Sequence, residues 1–316
     1  MRAEEFFQIR RSLKSLRDIS NPKYERGTLF SILLQKRIDN VKRRYHTYTS
    51  RLPEIAHHWE RYREIPKWIR LPPVMRIKLL MKSLGMTNRE IARSFSDPDS
   101  SEMGEMIWSA IYSDFIYSPI AVRNQFARGR VGEEIIRNYL ERNDIDFKDE
   151  SQLRPARKTP DFYIEDGIEI DGRNIKWIES KALFGDIKLH RVYSKKQYNQ
   201  YLEMYGDGIV VYWMGFIDEL TSHALITDHT LFDGPGKEFL LRMRIYMADR
   251  MAESVAERLN AEIFEWKTED NVRSTEYLRE VLKLFDSVSG NVVVSGGDRN
   301  LRGILKRMGF EVVVEK

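Results

Sequence analysis

The sequence predicts an α/β protein of 316 residues in three parts. Residues 1–118 carry apolar and aromatic residues at helical spacing, which predicts a helical part. Residues 119–235 combine an amphipathic helix with short β-like segments separated by turn residues, which is typical of a helix-and-sheet core. Residues 236–316 alternate helix-like and strand-like segments, which indicates a small third α/β section.

Helical patterns fill the first part. Apolar and aromatic residues recur at helical spacing in 53–67, and a second helical pattern covers 74–84 after the break at Pro72. Thr87 is followed three residues later by Glu90, the spacing of a capping box at a helix start. We therefore expect a third helix to begin there.

A stretch of this part, 84–93, resembles the first helix of a helix-turn-helix unit through its Thr-x-x-Glu-Ile-Ala pattern. The segment that follows, 96–105, is acidic, and the next predicted helix, about 102–115, lacks a row of Arg or Lys. A structural helical hairpin is therefore an equal alternative to a groove-reading unit. The basic helices before residue 80 are the better candidates for DNA binding.

The middle part begins with a predicted amphipathic helix at 132–142. Asp171 and Gly172 predict a turn between two of the strands that follow it. Strands are predicted at 162–164, 168–170, 175–182 and 209–216, with a helix at about 194–204. This order of elements indicates an α/β core.

The final part is predicted to alternate helices and strands, which favours a small α/β layer of unknown role. The predicted helices are 236–260, 274–286 and 298–308, and the predicted strands are 263–266, 291–294 and 310–315.

Positive charge is concentrated at the front of the chain. Residues 1–80 hold 19 Lys and Arg against 8 Asp and Glu, although the net charge of the whole chain is only +4. A basic region of this kind is typical of proteins that bind a polyanion such as nucleic acid. Solvated helix faces explain the same charges equally well.

Composition excludes several kinds of site. The chain has no cysteine, so it forms neither a disulfide nor a cysteine–zinc site, and any bound metal ion must be held mainly by oxygen. Oxygen ligands favour Mg²⁺ or Mn²⁺. No apolar run is long enough to cross a bilayer, and the first residues are too charged for a signal peptide, so we expect a cytoplasmic protein with no membrane partner.

Three residues of the middle part carry the predicted chemistry. Asp161 stands at the start of a predicted strand, directly after Pro160. Glu179 and Lys181 lie two apart in a later strand, so their side chains share one face. The intervening chain is long enough for a hairpin, and a register that brings Asp161 alongside would place two carboxylates and one ammonium close together.

Such a set meets the needs of phosphodiester cleavage. Asp161 and Glu179 can hold Mg²⁺ or Mn²⁺, which polarises a phosphate and lowers the pKa of a bound water. Lys181 can orient that water or neutralise the developing charge. The sequence therefore predicts a metal-dependent nuclease. For the Glu-x-Lys pair taken alone, an exposed salt-bridged hairpin is the structural alternative.

Four other residues are candidates for the same site. Glu133 lies toward the packed face of the predicted helix 132–142 and can complete the metal shell, or it stabilises the helix N-terminus. Gln197 and Tyr201, four apart on one helix face, can hold a scissile strand or a metal-bound water, or the tyrosine is a packing residue. Asp186 is a second metal ligand or a helix cap, and the cap is favoured.

These motifs resemble those of known nucleases. Pro160-Asp161, Glu179-x-Lys181 and Glu133 resemble the PD-(D/E)XK core shared by type II restriction enzymes, archaeal Holliday-junction resolvases and RecB-type nucleases. Gln197-x-x-x-Tyr201 resembles an additional motif of the RecB-type branch. The family named for its Thr-Pro-Asp motif is resembled more closely still, by four motifs in order at 158–162, 177–182, 184–186 and 211–217, together with 111–114 and 117–119.

The resemblance extends from the N-terminal helices to about residue 220 and implies both a fold and a site. The implied fold is a set of helix-turn-helix-like domains followed by a restriction-endonuclease-like α/β core with a central mixed sheet. The implied catalytic set of this magnesium-dependent core is Glu133, Asp161, Glu179 and Lys181. Nothing is implied for residues 236–316.

The prediction is therefore a divalent-metal-dependent nuclease that hydrolyses DNA, with selectivity for DNA structure left open. One alternative is a nucleic-acid-binding scaffold that has a nuclease-like fold and little activity. Another is an RNA-processing nuclease, because the same metal chemistry serves either backbone. Paired copies would suit symmetric DNA junctions, so a homodimer also stays open.

Overall fold

The computed structural model describes residues 1–19, 23–153, 158–232, 262–264, 291–294 and 311–314. Two compact units contain the longer of these stretches. We call Met1–Leu33 with 126–232 the sheet unit, and Leu34–Gln125 the helical unit. The domain boundaries at residues 118 and 235 stay predictions. None of the helices in the described ranges combines the length and the apolar character needed to cross a membrane.

Helices dominate the chain before residue 143. A π-helical turn, Ser194–Tyr198, joins two later helices into one run. The α-helices of the described residues are α1 (Ala3–Ser12), α2 (Arg26–Thr49), α3 (Leu52–Tyr62), α4 (Pro73–Ser83), α5 (Asn88–Ser96), α6 (Gly104–Ser113), α7 (Pro119–Arg142), α8 (Glu150–Leu153), α9 (Ile187–Tyr193) and α10 (Asn199–Tyr205).

The sheet unit is built on five strands that lie in chain order. They are β1 (Lys148–Asp149), β2 (Phe162–Ile170), β3 (Arg173–Lys181), β4 (Gly208–Tyr212) and β5 (Leu225–Thr227). The pairs β1–β2 and β2–β3 are antiparallel, whereas β3–β4 and β4–β5 are parallel. The sheet is therefore mixed, as expected.

A tight turn joins β2 to β3. Asp171 and Gly172 both adopt positive φ angles, 49° and 73°. Hairpin turns of the type that matches strand twist need this conformation, and Asp-Gly is among their preferred sequences. The predicted turn is confirmed, and it sets the pairing of 168–170 with 173–175. An irregularity between Tyr163 and Ile168 then shifts the register, so that Phe162 pairs with Ile178 next to the candidate site.

Helices cover both faces of β3. On one face, Gly132 of α7 lies so close that an added Cβ would stand 2.9 Å from the Ser180 Oγ. On the other face, the Trp177 ring packs against Tyr198 and Tyr201, with centroids 6.4 and 5.3 Å away. Because Trp177 and Ser180 point to opposite sides of the strand, α7 and the α9–α10 run enclose it between them.

Several elements of this unit differ from their predicted bounds. The helix expected at 132–142 is the end of α7, which begins at Pro119, and the strands expected at 162–164 and 168–170 are the single strand β2. The helix expected at about 194–204 is the end of a run that begins at Ile187, because the Asp186 carboxylate accepts the Leu189 N–H and caps an earlier start. The strand expected at 209–216 ends at Tyr212, because the Gly215 N–H donates to the Tyr212 carbonyl and closes a turn.

The helical unit has its own apolar core. Pro72 directly precedes the first residue of α4, and the Thr87–Glu90 capping box at the start of α5 is formed as expected. A helix-turn-helix role for α5 and α6 stays a prediction. The buried core residues are Val41, Tyr48, Ile55, Ile69, Leu71, Leu79 and Leu80.

Three further strands form a separate parallel sheet. They are β6 (Glu262–Phe264), β7 (Asn291–Val294) and β8 (Glu311–Val314), in that order. The three strands expected at 263–266, 291–294 and 310–315 are thus confirmed. The helices expected at 236–260, 274–286 and 298–308 lie outside the described residues.

Candidate active site

The register of the hairpin brings the two predicted acids together. Phe162 of β2 pairs with Ile178 of β3 in antiparallel order, so the preceding residue, Asp161, stands across from Glu179. Directly opposed residues of an antiparallel pair point to the same face of the sheet. Lys181 lies two residues beyond Glu179 on that face. The structure therefore brings together the three residues first singled out in the sequence.

Each side chain of this set has a defined environment. Glu179 is only 2% exposed; its Oε1 accepts a hydrogen bond from the Lys181 Nζ, and its Oε2 is buried with no hydrogen-bond partner in the structure. The Asp161 Oδ2 accepts the Ser180 backbone N–H at 2.7 Å. A buried carboxylate oxygen without a donor is costly, and it marks a place where a cation would be favourable.

Burial and charge shift the pKa values of all three groups. Burial raises the pKa of Glu179 to about 8, and the Asp161 charge adds to this rise while Lys181 opposes it. Burial likewise raises the pKa of Asp161, against the attraction of Lys181. Burial alone would lower the pKa of Lys181, but the two carboxylates outweigh it and raise the pKa. The site thus holds a charged lysine beside two acids that resist joint ionisation.

The segment before Asp161 is tied to the α9–α10 run. The Tyr201 hydroxyl donates to the Thr159 carbonyl at 2.7 Å, and the Tyr205 hydroxyl donates to the Lys158 carbonyl at 3.4 Å. The Gln197 side chain hydrogen-bonds the Tyr201 hydroxyl, while its own Oε1 is buried without a partner in the structure. Tyr201 therefore holds the segment that leads into β2 and so positions Asp161. Direct contact of Gln197 or Tyr201 with a substrate stays a prediction.

A layer of aromatic and imidazole groups lies beside Lys181. Its Nζ stands 5.2 Å from the centre of the Tyr193 ring, within the range of a cation–π contact. His190 and Tyr198 both hydrogen-bond the Tyr212 hydroxyl, at 2.9 and 3.2 Å. His190 was not predicted, because the six histidines of the chain show no metal-ligand spacing.

Glu150 is a second residue near this site that was not predicted from the sequence. Asp149 of β1 pairs with Phe162, and Glu150 follows it as the first residue of α8, beside the strand that Asp161 precedes. Its negative charge contributes to the raised pKa of both Asp161 and Tyr201. The only signal in the sequence was an acid at 150, in a segment with no predicted strand.

Two other candidates have different outcomes. Asp186 caps α9, which confirms the favoured structural role. Glu133 follows Gly132 on α7, the helix that packs on the Ser180 face of β3. Glu179 and Lys181 occupy the opposite face, so the place of Glu133 in the site stays a prediction.

The donor set fits a hard divalent cation held by few protein ligands. Among the described residues, no three Asp, Glu or His side chains lie close enough to form a complete metal centre. Mg²⁺, however, usually keeps several waters and binds through one or two carboxylates together with substrate phosphates. Asp161 and Glu179 offer two carboxylates of this kind, and the unpartnered Glu179 Oε2 has no other ligand in the structure.

The fold and the site define an α/β protein whose mixed sheet carries a buried acid–acid–lysine set on adjacent strands. A family profile described as "Protein of unknown function TPD sequence-motif" matches residues 99–233, which include Thr159, Pro160 and Asp161. No solved structure matches the chain.

Curated relatives match a larger share of the chain. It is similar to CDAN1-interacting nuclease 1 of Danio rerio, with 30% identity over 220 residues that cover 61% of this chain and 71% of the relative. The proteins of that name from Mus musculus and Homo sapiens are 30% and 29% identical over 240 and 239 residues, in each case 67% of this chain and 83% of the relative. The chain therefore belongs to the TPD-motif family that contains these proteins, as the sequence motifs predicted.

Proposed function

We propose that this protein is a divalent-metal-dependent nuclease of the PD-(D/E)XK type that hydrolyses phosphodiester bonds in DNA. The observation that carries the proposal is the buried, unpartnered Oε2 of Glu179, beside Asp161 and Lys181 on one face of the sheet. An unsatisfied buried acceptor costs stability, so a purely structural salt bridge gives no reason to keep such an oxygen. The names of the relatives, which describe them as nucleases, support the same conclusion.

Asp161 and Glu179 are the residues that would hold the cation. When bound, Mg²⁺ or Mn²⁺ supplies Lewis-acid polarisation of a phosphate and a more acidic water. The protein positions the two carboxylates. Its hairpin register sets the two carboxylates, and the Tyr201 bond to Thr159 fixes the approach to Asp161.

Lys181 has a separate task. The raised pKa of its ammonium keeps it protonated at neutral pH, so it acts as a fixed positive charge and not as a base. A preorganised cation in a buried site stabilises negative charge that develops on a phosphate far better than it would in water. Its hydrogen bond to Glu179 and its contact with the Tyr193 ring hold the ammonium in place.

The test separates metal binding from cleavage. Glu179→Gln and Asp161→Asn keep size and shape but remove one charge each, so we expect each to lower the cleavage rate by about 100-fold or more. Calorimetric titration with Mn²⁺ should show weaker binding in both variants. Glu203→Gln, a change on the exposed side of α10, is the matched control and should keep wild-type cleavage and binding.

Substrates decide between the alternatives. Wild type and Glu179→Gln should be compared on single-stranded, duplex, flap and four-way DNA and on RNA of the same sequence. Cleavage confined to RNA would replace DNA as the substrate. Undiminished cleavage in both site variants would reject the assigned active site, and wild type that binds nucleic acid but neither Mn²⁺ nor Mg²⁺ would favour a scaffold.

A further inference from the structure

The helical unit contains a cleft rich in arginine. It has a volume of about 370 Å³, within the usual range of ligand pockets. One wall is α2, where Arg37, Asn40 and Arg44 are three and four residues apart and therefore share a face. Arg70 contributes from the segment that precedes α4. The three arginines come from two separate parts of the chain and line one concave space.

Hydrogen bonds fix the walls of this cleft. The Arg70 backbone N–H donates to the Tyr48 hydroxyl at 3.2 Å, which ties that segment to α2. The wall formed by Phe115 and Ile116 is tied to α4 through Asp114, whose carboxylate accepts the Val74 and Ile116 N–H groups at 3.0 and 2.9 Å. The cleft is thus preformed, and a ligand would not have to order its walls.

Charge identifies the class of ligand. The lining contains three arginines and one acid, Asp114, which is 1% exposed and already accepts backbone N–H donors. Like charges gathered in a concave site repel one another and focus a positive field, which an anion relieves. Guanidinium forks match the geometry of phosphate oxygens. Leu71 and Pro72 add an apolar surface beside the arginines.

We propose that this cleft binds a phosphate group of a nucleic-acid strand, as a site apart from Asp161 and Glu179. The choice of nucleic acid over another phosphate compound rests on the proposed nuclease function. Arg44 and Arg70 bind the phosphate, and the adjoining sugar packs against the apolar wall. Bound in this way, the strand is retained by the protein whether or not a cation occupies the candidate active site.

Binding is measured by fluorescence anisotropy with a labelled oligonucleotide in EDTA, so that cleavage plays no part. Arg44→Gln and Arg70→Gln should each weaken binding about tenfold, and each should lower the slope of log affinity against log salt by about 1. Lys42→Gln is the matched control, because Lys42 is an exposed cation of the same helix that does not line the cleft. It should leave affinity and slope nearly unchanged.

Competitors identify the source of the phosphate. Displacement of the oligonucleotide by unlabelled oligonucleotide, but not by an equal phosphate concentration of mononucleotide or inorganic phosphate, supports a strand site. Displacement by mononucleotide at low concentration would overturn it in favour of a small-molecule site. Equal binding by Arg44→Gln, Arg70→Gln and Lys42→Gln would also overturn it. If the wild type cleaves DNA but the three variants bind alike, the cleft proposal is rejected and the nuclease proposal stands. If the wild type does not cleave DNA but Arg44→Gln and Arg70→Gln bind more weakly than Lys42→Gln, the nuclease proposal is rejected and the cleft still binds nucleic acid.

Discussion

Asp114 of the helical unit and Glu179 of the sheet unit are buried to nearly the same degree, 1% and 2% exposed. They differ in their partners. Asp114 accepts backbone N–H groups from Val74, Ile116 and Tyr117. Glu179 accepts the Lys181 ammonium at Oε1, and the Asp161 backbone N–H also favours its charged form, but its Oε2 has no hydrogen-bond partner in the structure. Burial alone therefore does not mark a chemical site. The unsatisfied oxygen distinguishes Glu179 from Asp114 and supports the proposed site, because the oxygens of a buried structural acid are expected to be hydrogen-bonded.

The largest expected effect tests the structural half of this comparison. Asp114→Ala leaves two buried N–H groups and one partly buried N–H group without an acceptor, so we expect the free energy of unfolding to fall by about 3 kcal/mol. Asp114→Asn, which keeps one acceptor oxygen, should lose less. Denaturant unfolding monitored by circular dichroism measures both. The exposed Glu102→Ala of the same unit should change stability little, and a loss below about 1 kcal/mol in Asp114→Ala would contradict the role.

At Glu179 we expect a smaller effect of opposite sign, in which a substitution raises the free energy of unfolding. Because the folded-state pKa is raised from 4.5 to about 8, the folded protein binds more protons than the unfolded chain between these values. The contribution of Glu179 to the free energy of unfolding is therefore complete below about pH 4.5 and is lost as the pH rises toward 8. Glu179→Gln has no such loss. It should be more stable than the metal-free wild type at pH 8 by about 1–2 kcal/mol.

The comparison at Glu179 is measured at pH 5 and pH 8 in EDTA, and again with Mg²⁺. The advantage of Glu179→Gln should shrink at pH 5, and Mg²⁺ should stabilise only the wild type at pH 8. A variant that is less stable than the wild type by the same amount at both pH values would show that Glu179 serves as an ordinary salt-bridge partner.

The features of the fold and of the candidate site differ in how far they could be predicted from the sequence. Local signals were sufficient for the capping box at Thr87 and for the turn at Asp171, since both depend on neighbouring residues. Strand alternation also placed Glu179 and Lys181 on one face. The position of Asp161 opposite Glu179 required the hairpin register, which the sequence allowed but did not specify.

The residues that were missed depend on contacts distant in sequence. Glu150 directly follows a two-residue strand that pairs with β2, and this strand is too short to leave a periodic pattern. The strand that was expected to reach residue 216 stops at Tyr212 although the next residues are apolar. Trp213 is buried there by packing, and its indole N–H donates to the Ser180 Oγ at 2.9 Å, so its apolar character reflects burial and not strand pairing.

The smallest expected effect concerns how Asp161 is held. Tyr201→Phe removes only the hydroxyl that donates to the Thr159 carbonyl, which should lower the free energy of unfolding by about 1 kcal/mol and the cleavage rate by about tenfold. Burial and the nearby Glu179 and Asp161 charges raise the pKa of this hydroxyl, so it donates throughout the working range and the pH profile should keep its shape.

Tyr205→Phe is the matched control for this change, because the bond from Tyr205 to the Lys158 carbonyl is longer, at 3.4 Å, and one residue farther from Asp161. It should alter cleavage less than Tyr201→Phe does. If the two variants lose cleavage equally and in proportion to their lost stability, the tyrosines act by packing alone. If Tyr201→Phe loses more cleavage than its lower stability explains, the Tyr201 hydroxyl acts by positioning Asp161. Its role is then in the chemistry of the sheet unit and not in its fold.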